Sequence, residues 1–167
     1  MQQSGERQCS ACGTKRREED LFVVDGDLMC AECLFGELAP VRIHPIGFVH
    51  NTQRRDGSDF GLRDRSSESR IELLASQKRF MYKLEDEDCL TVVYHLHKAR
   101  SIRSRFKRGL DGKEVGVFSS RTPDRLSPIG IQDVQLLRVE GTVLFVEGLD
   151  AIDGTPVLDL KLSWHRR

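Results

Sequence analysis

The sequence predicts a mainly β protein, a small barrel preceded by a ribbon held by four cysteines. Three observations predict it. Four of the five cysteines fall as Cys9-x2-Cys12 and Cys30-x2-Cys33. From Val41 onward the apolar residues recur with period two in short runs bounded by turn residues. No long amphipathic helix interrupts those runs, so the βαβ alternation of a parallel sheet is missing.

The paired cysteines match a closed tetrahedral four-thiolate zinc site. Between the pairs, Leu21, Phe22, Val23 and Val24 alternate with Leu28 and Met29 across Asp25-Gly26, a hairpin signal that returns the second pair to the first. Gly13 suits the tight turn after Cys12. Disulfides would need an oxidising compartment, and a redox-active CxxC occurs as a single pair near a βαβ unit. Four thiolates leave no open position, so the expected zinc is structural and supplies much of this module's folding energy. Residues 1–40 make up the ribbon, and 41–167 the barrel. Cys89, far from the other four, is expected as a buried small hydrophobe.

Strands are expected over residues 42–49, 70–74, 90–97, 115–118, 134–139, 143–146 and 157–161. Glu140-Gly141-Thr142 reads as a hairpin turn. Residues 64–69 or 79–88 are expected to add a helical turn or two. The stretch from 50 to 68 is polar and aperiodic, which in a compact domain marks a functional or mobile loop. Strict alternation would place His95 and His97 on one strand face with Thr91 and Val93. As a pair they are read as ordinary strand histidines, since no carboxylate at ligand spacing accompanies them.

At 38% hydrophobic and 31% charged residues the chain is polar but well inside the globular range. No apolar run approaches the ~20 residues that span a bilayer. The first seven residues lack an apolar signal core, so no membrane association and a cytoplasmic location are expected. The formal net charge is zero, yet unevenly spread: residues 1–40 carry four basic against eight acidic groups, leaving the remainder at +4. Lys98, Arg100, Arg103, Arg105, Lys107 and Arg108 crowd into eleven residues. Such a run is either a solvated loop or a rim that grips phosphates. Glycine-rich phosphate loops of either common type are missing, which removes support for a Rossmann or P-loop nucleotide site. No Ser-His-Asp or Cys-His order can be argued from spacing, so hydrolysis is unsupported.

Two segments are distinctive: Gly116-Val117-Phe118-Ser119-Ser120-Arg121-Thr122-Pro123-Asp124-Arg125-Leu126-Ser127-Pro128-Ile129-Gly130, and Gly148-Leu149-Asp150-Ala151-Ile152-Asp153-Gly154-Thr155-Pro156 with the apolar run after it. With Pro45-Ile46-Gly47-Phe48-Val49 and Leu96-His97-Lys98-Ala99, they resemble the signature set of the TrmO family. Those proteins are β-barrel methyltransferases that use S-adenosylmethionine on N6 of threonylcarbamoyladenosine in tRNA. The resemblance covers residues 41–161 and leaves out the ribbon. It implies a homodimer that holds S-adenosylmethionine near the subunit interface, with tRNA as partner. The family's cofactor contacts fall on His97, Lys98, Arg121, Ile131 and the turn of Leu149, Asp150, Ala151, Ile152 and Asp153, with Arg63 as the nearest counterpart of an arginine in a loop after the first strand.

Residue chemistry is compatible with this. Arg121 offers a planar fork for a carboxylate, and Asp150 or Asp153 could accept from hydroxyl or ammonium groups. His97, Asp124 or solvent could take the proton that N6 must lose. Arg100, Arg103, Arg105, Lys107 and Arg108 are the candidate RNA contacts. Where the family reads Arg-Pro-Asn-Pro-Ile-Gly this chain has Leu126-Ser127. Its usual Ile-Lys-Pro-Tyr is Leu160-Lys161-Leu162-Ser163, and its Phe-Ser-His-Leu is Asp88-Cys89-Leu90-Thr91. Those changes keep the alternation that builds the barrel and bear on substrate choice. The alternative they leave is a non-catalytic adapter that binds S-adenosylmethionine or RNA. The acidic ribbon suits a protein partner or a structural cap better than an RNA grip.

Overall fold

The computed structural model describes residues 5–52, 67–99, 101–109 and 111–164. Arg63 and Arg100 lie outside the described residues, as does most of the expected loop over 50–68. The chain divides into two compact units, one of residues 1–42 with 98–128, the other of 43–97 with 129–167. The segment 98–128, which sequence reasoning joined to the barrel, therefore groups with the ribbon.

In the first unit, β1 (Glu6–Gln8) pairs with β2 (Lys15–Arg17), and β3 (Leu21–Val24) with β4 (Asp27–Cys30), all antiparallel. The expected Asp-Gly hairpin forms, with Asp25 at φ 51 and Gly26 at φ 98. Two left-handed central residues match the twist of the flanking strands, and Asp and Gly tolerate that region best. After Cys30 comes α1 (Ala31–Phe35), closed by Gly36, whose amide donates to the Glu32 carbonyl at 3.0 Å. Phe35 meets Phe22 edge to face, with centroids 5.5 Å apart. Farther along, β8 (Arg105–Lys107) pairs with β9 (Glu114–Gly116).

The second unit is a closed barrel. Its strands are β5 (Gly47–His50), β6 (Glu68–Leu73), β7 (Cys89–His95), β10 (Ile129–Glu140), β11 (Val143–Glu147) and β12 (Pro156–Leu162). Around the barrel they run β10-β11-β6-β5-β12-β7 and back to β10. Alternation decides what faces inward. Ser69, Ile71 and Leu73 of β6, Leu90, Val92 and Tyr94 of β7, and Leu144 and Val146 of β11 are buried, and their sequence neighbours are not. Val49, Val134, Leu136, Leu149, Ala151, Val157 and Met81 complete the core. The register slips by one residue between Leu136 and Arg138 and between Val157 and Asp159, bulges of the kind that bend strands toward closure.

Several expectations are corrected. The first barrel strand covers only Gly47–His50, because Pro45 has no amide to offer the ladder. β7 stops at His95, where the His97 amide turns back onto the His95 carbonyl at 2.8 Å. The two histidines therefore do not share a strand face. β9 ends at Gly116, and Val117–Ser119 is a 3-10 turn, because the Ser120 amide and hydroxyl both donate to the Val117 carbonyl, at 3.1 and 2.8 Å. The extra helical turns are 3-10, at Ala75–Phe80 and Leu84–Asp86. Cys89 is half-buried on the outer face of β7 instead of in the core. No helix among the described residues is long and apolar enough to cross a membrane.

Candidate functional site

Two constellations emerge, one in each unit. The first is the cysteine cluster. Cys9 and Cys30 are buried, Cys12 and Cys33 exposed, and their four sulfurs lie within 4.8 Å of one another. Cys9 to Cys33 is 3.8 Å and Cys12 to Cys30 is 3.9 Å. A tetrahedron of metal–sulfur bonds of about 2.3 Å has edges of about 3.8 Å, so the sulfurs fit a zinc-sized soft cation. Local backbone chemistry builds each loop. The Gly13 amide closes on the Cys9 carbonyl at 2.8 Å with Gly13 at φ 72, and the Ser10 amide donates to Leu28 of β4 at 2.7 Å. The Cys30 and Cys12 amides beside Cys9 lower its pKa to about 6. Cys33, crowded by the Cys30, Cys12 and Cys9 sulfurs, is pushed up to about 12. Four thiolates at this spacing repel one another unless a cation sits among them.

The second constellation is the turn between β11 and β12, residues 148–155. Gly148 enters it at φ 91 and Gly154 leaves it at φ 76. Three side chains from the barrel hold it. The Gln132 amide donates to the Gly148 carbonyl, and its Oε1 accepts the Asp150 amide at 3.0 Å. The Tyr94 hydroxyl donates to the Asp150 carbonyl at 3.2 Å. Asn51 Nδ2 donates to the Ala151 carbonyl at 2.8 Å and to Ser69 at 3.0 Å, while its own amide donates to Asp153 Oδ1 at 3.2 Å. Each such bond contributes about 1 kcal/mol net, and together they fix the turn more firmly than a surface loop.

The pinned turn sorts the expected contacts. Leu149 and Ala151 are buried in the core at 2% and 4% exposure, so they anchor the turn and leave little surface to a ligand. The Ala151 carbonyl is already taken by Asn51. Asp150 is half-buried, Ile152 is half-buried and Asp153 is exposed. Asp153 also has His50 Nδ1 at 3.8 Å, whose Nε2 is 3.4 Å from Glu72. Ile131, on β10 opposite Val93, is 61% exposed and continues outward the apolar surface of Ile129. The turn carries carboxylate acceptors for ribose hydroxyls or an ammonium group, and the outer face of β10 separately offers an apolar surface at Ile129 and Ile131. That chemistry fits S-adenosylmethionine. His97 is half-buried where β7 ends.

Lys98, Arg121 and Asp124 belong to the ribbon's unit. Lys98 and Arg121 are exposed, and Arg121 makes no ion pair among the described residues. Asp124 is held at 3.5 Å by the Arg103 guanidinium and accepts the Arg103 amide on its carbonyl at 3.1 Å. The basic run is largely countered: Arg105 has Glu114 at 3.6 Å, and Arg108 makes a two-pronged bond to Asp111. Asp111 is correspondingly held below the usual carboxylate range by that arginine. Sequence reasoning missed Gln132, Tyr94 and Asn51. Their signal was faint: a polar residue on a β10 position beside the turn motif, an aromatic opposite a glycine, and an asparagine directly after β5.

Residues 53–165 match the family model described as tRNA-methyltransferase O N-terminal domain. A protein of Methanothermobacter thermautotrophicus named a probable S-adenosyl-L-methionine-binding protein is 40% identical over 124 residues, 72% of this chain and 88% of its own length. The mouse protein named tRNA (adenine(37)-N6)-methyltransferase is 38% identical over 81 residues, 47% of this chain but 19% of its own length. Crystal structures of TrmO from Pseudomonas aeruginosa align with a TM-score of 0.59 at 27% and 25% identity, covering 76% and 75% of this chain. This chain spans 56% of the length of either.

Proposed function

The chain belongs to the TrmO family, and from that membership we propose that it is an S-adenosylmethionine-dependent methyltransferase acting on N6 of adenine in tRNA, with threonylcarbamoyladenosine as the acceptor. The observation that carries this reading is the turn bearing Asp150 and Asp153, locked by Gln132, Tyr94 and Asn51.

In this reading Ile131 would pack on the adenine, and Asp150 and Asp153 would accept from the ribose hydroxyls or the ammonium group. Ile152, half-buried between the two aspartates, shapes the rim, with Leu149 and Ala151 anchoring the turn in the core beneath it. The family resemblance adds His97, Lys98 and Arg121 as cofactor positions, Arg121 offering the fork that would pair the carboxylate of the methionyl end. The bound cofactor supplies a methyl carbon on sulfonium, open to attack by the acceptor nitrogen from the opposite side. The protein's task is then alignment, which can supply a large share of the acceleration. His97 or Asp124 takes the proton from N6. Arg103, Arg105, Lys107 and Arg108, with Arg100, contact phosphates, and Arg103, Arg105 and Arg108 exchange their present carboxylate partners for the RNA backbone. The active form is a homodimer, for which the apolar outer face of β10 offers surface. The four cysteines hold structural zinc, and the acidic face of the ribbon is available to a protein partner.

Transfer of a labelled methyl group from S-adenosylmethionine to tRNA bearing or lacking threonylcarbamoyladenosine tests this. Label confined to the modified tRNA supports it. Cofactor binding without transfer to either tRNA would favour the second reading, a non-catalytic adapter, which the carboxylate partners of Arg105 and Arg108 favour.

A further inference from the structure

The ribbon's hairpin does more than close on itself. Ile102 lies along β3 in a parallel bridge to Val24. Its amide donates to the Val23 carbonyl at 2.7 Å, and its carbonyl accepts the Asp25 amide at 2.9 Å. Two residues on, the Ser104 amide donates to the Asp25 carboxylate at 2.9 Å. Hydrogen bonding continues outward from there. The Ser104 carbonyl accepts the Val117 amide at 3.0 Å, β8 and β9 pair, and Arg103 and Asp124 hold each other through backbone and side chain. An unbroken series of bonds thus runs from the cysteine loops to the segment that carries Arg103, Arg105, Lys107 and Arg121.

Asp25 is the pivot of this series. It occupies the left-handed region at φ 51 at the tip of the hairpin, a conformation that most side chains resist. The hydrogen bonds from Ser104, aided by the charges of Arg105 and Arg103, hold its carboxyl below the usual Asp range. Without the contacts of Ile102 and Ser104 with the hairpin, residues 101–108 would keep only a three-residue strand pair, the Ser104–Val117 bond and the Arg103–Asp124 contact, little for independent stability.

We propose that the ribbon is the mount for the arm over residues 101–124, and that Asp25 is the positioning residue that fixes the arm's tip to it. The metal then acts on the arm at a distance, by keeping β3 and its turn in the shape that receives Ile102 and Ser104. This rests on the reading of the arm as the carrier of the RNA and cofactor contacts only for its consequence, not for the coupling itself.

Hydrogen exchange on the full-length, zinc-loaded protein tests the coupling without any ligand. Asp25→Ala should accelerate exchange of residues 101–108 at least about tenfold, with zinc content and exchange of β7 and β10 unchanged. Asp25→Asn, which keeps an acceptor and tolerates the left-handed turn, should restore protection. Ser104→Pro, which removes the donor without touching the ribbon, should match Asp25→Ala. Stripping the zinc should accelerate the same residues in the wild type. Wild-type exchange of 101–108 in Ser104→Pro or in the zinc-stripped protein overturns the proposal, as does failure of Asp25→Asn to rescue. A wild type that binds neither S-adenosylmethionine nor tRNA would instead sink the functional reading and leave the exchange result standing.

Discussion

Tyr94 and Gly130 face each other across β7 and β10, and the tyrosine ring fills the space a side chain on Gly130 would need. A Cβ there would lie 2.4 Å from two ring carbons. That close approach lets the hydroxyl reach Asp150 in the turn, so the glycine of the Pro128-Ile129-Gly130 motif serves the turn through the ring beside it. Gly130→Ala should destabilise the barrel by about 1–3 kcal/mol through overpacking, read as a lower thermal midpoint. Tyr94→Phe keeps the packing and removes only the hydroxyl, so it should lower cofactor affinity with a smaller change in midpoint.

Gln132 holds both ends of the Gly148-to-Asp150 segment with one side-chain amide. Gln132→Ala should weaken S-adenosylmethionine binding at least about tenfold while costing about 1–2 kcal/mol of stability. Gln132→Glu keeps the acceptor for Asp150 but loses the donor for Gly148, and should fall between the two. Calorimetric titration alongside thermal melts separates affinity from stability.

Arg138 crosses β11, its guanidinium carbon 3.4 Å from the Phe145 ring centroid, to reach Glu68 of β6 at 2.7 Å. The arginine holds the Glu68 carboxyl below the usual range. A depressed carboxylate contributes stability that is complete above its unfolded value and is lost as pH falls through the lower folded value. The thermal midpoint should therefore drop on acidification below the ordinary carboxylate range. Glu68→Gln should have a slightly lower midpoint at neutral pH and a shallower acid decline.

The barrel was legible because its strands are short and each buries one face. The alternation of Ser69, Ile71 and Leu73, and of Leu90, Val92 and Tyr94, is written into the chain. The cysteine cluster was legible because two CxxC pairs at this spacing have few other uses. What escaped was whatever depends on contacts distant in sequence. Asn51 meets Ala151 and Ser69, Gln132 meets Gly148 and Asp150, and Ser104 meets Asp25 across 79 residues. Strand ends failed where a proline or a turn-forming hydrogen bond overruled periodicity, at Pro45 and at His97. Leu149 and Ala151 matched a family motif by position, and the packing turned their side chains inward.

Metal removal separates the two units' dependence on zinc. The barrel has its own apolar core, whereas the ribbon buries little beyond Cys9 and Cys30. Chelation at neutral pH should release one zinc per chain, consistent with a metal that supplies the ribbon's folding energy. Near-complete retention of barrel circular dichroism is expected, and collapse of the barrel signal together with the metal would count against independent cores.

The central claim is that this chain binds S-adenosylmethionine, and the most direct measurement is calorimetric titration of the cofactor into the full-length, zinc-loaded protein, with Arg121→Ala and Gln132→Ala as controls. The account predicts saturable binding near one cofactor per chain, weakened at least about tenfold in each variant, as expected when a charge-assisted or turn-fixing hydrogen bond is lost. No heat of binding from a folded protein at millimolar cofactor, or binding indifferent to both substitutions, would contradict it.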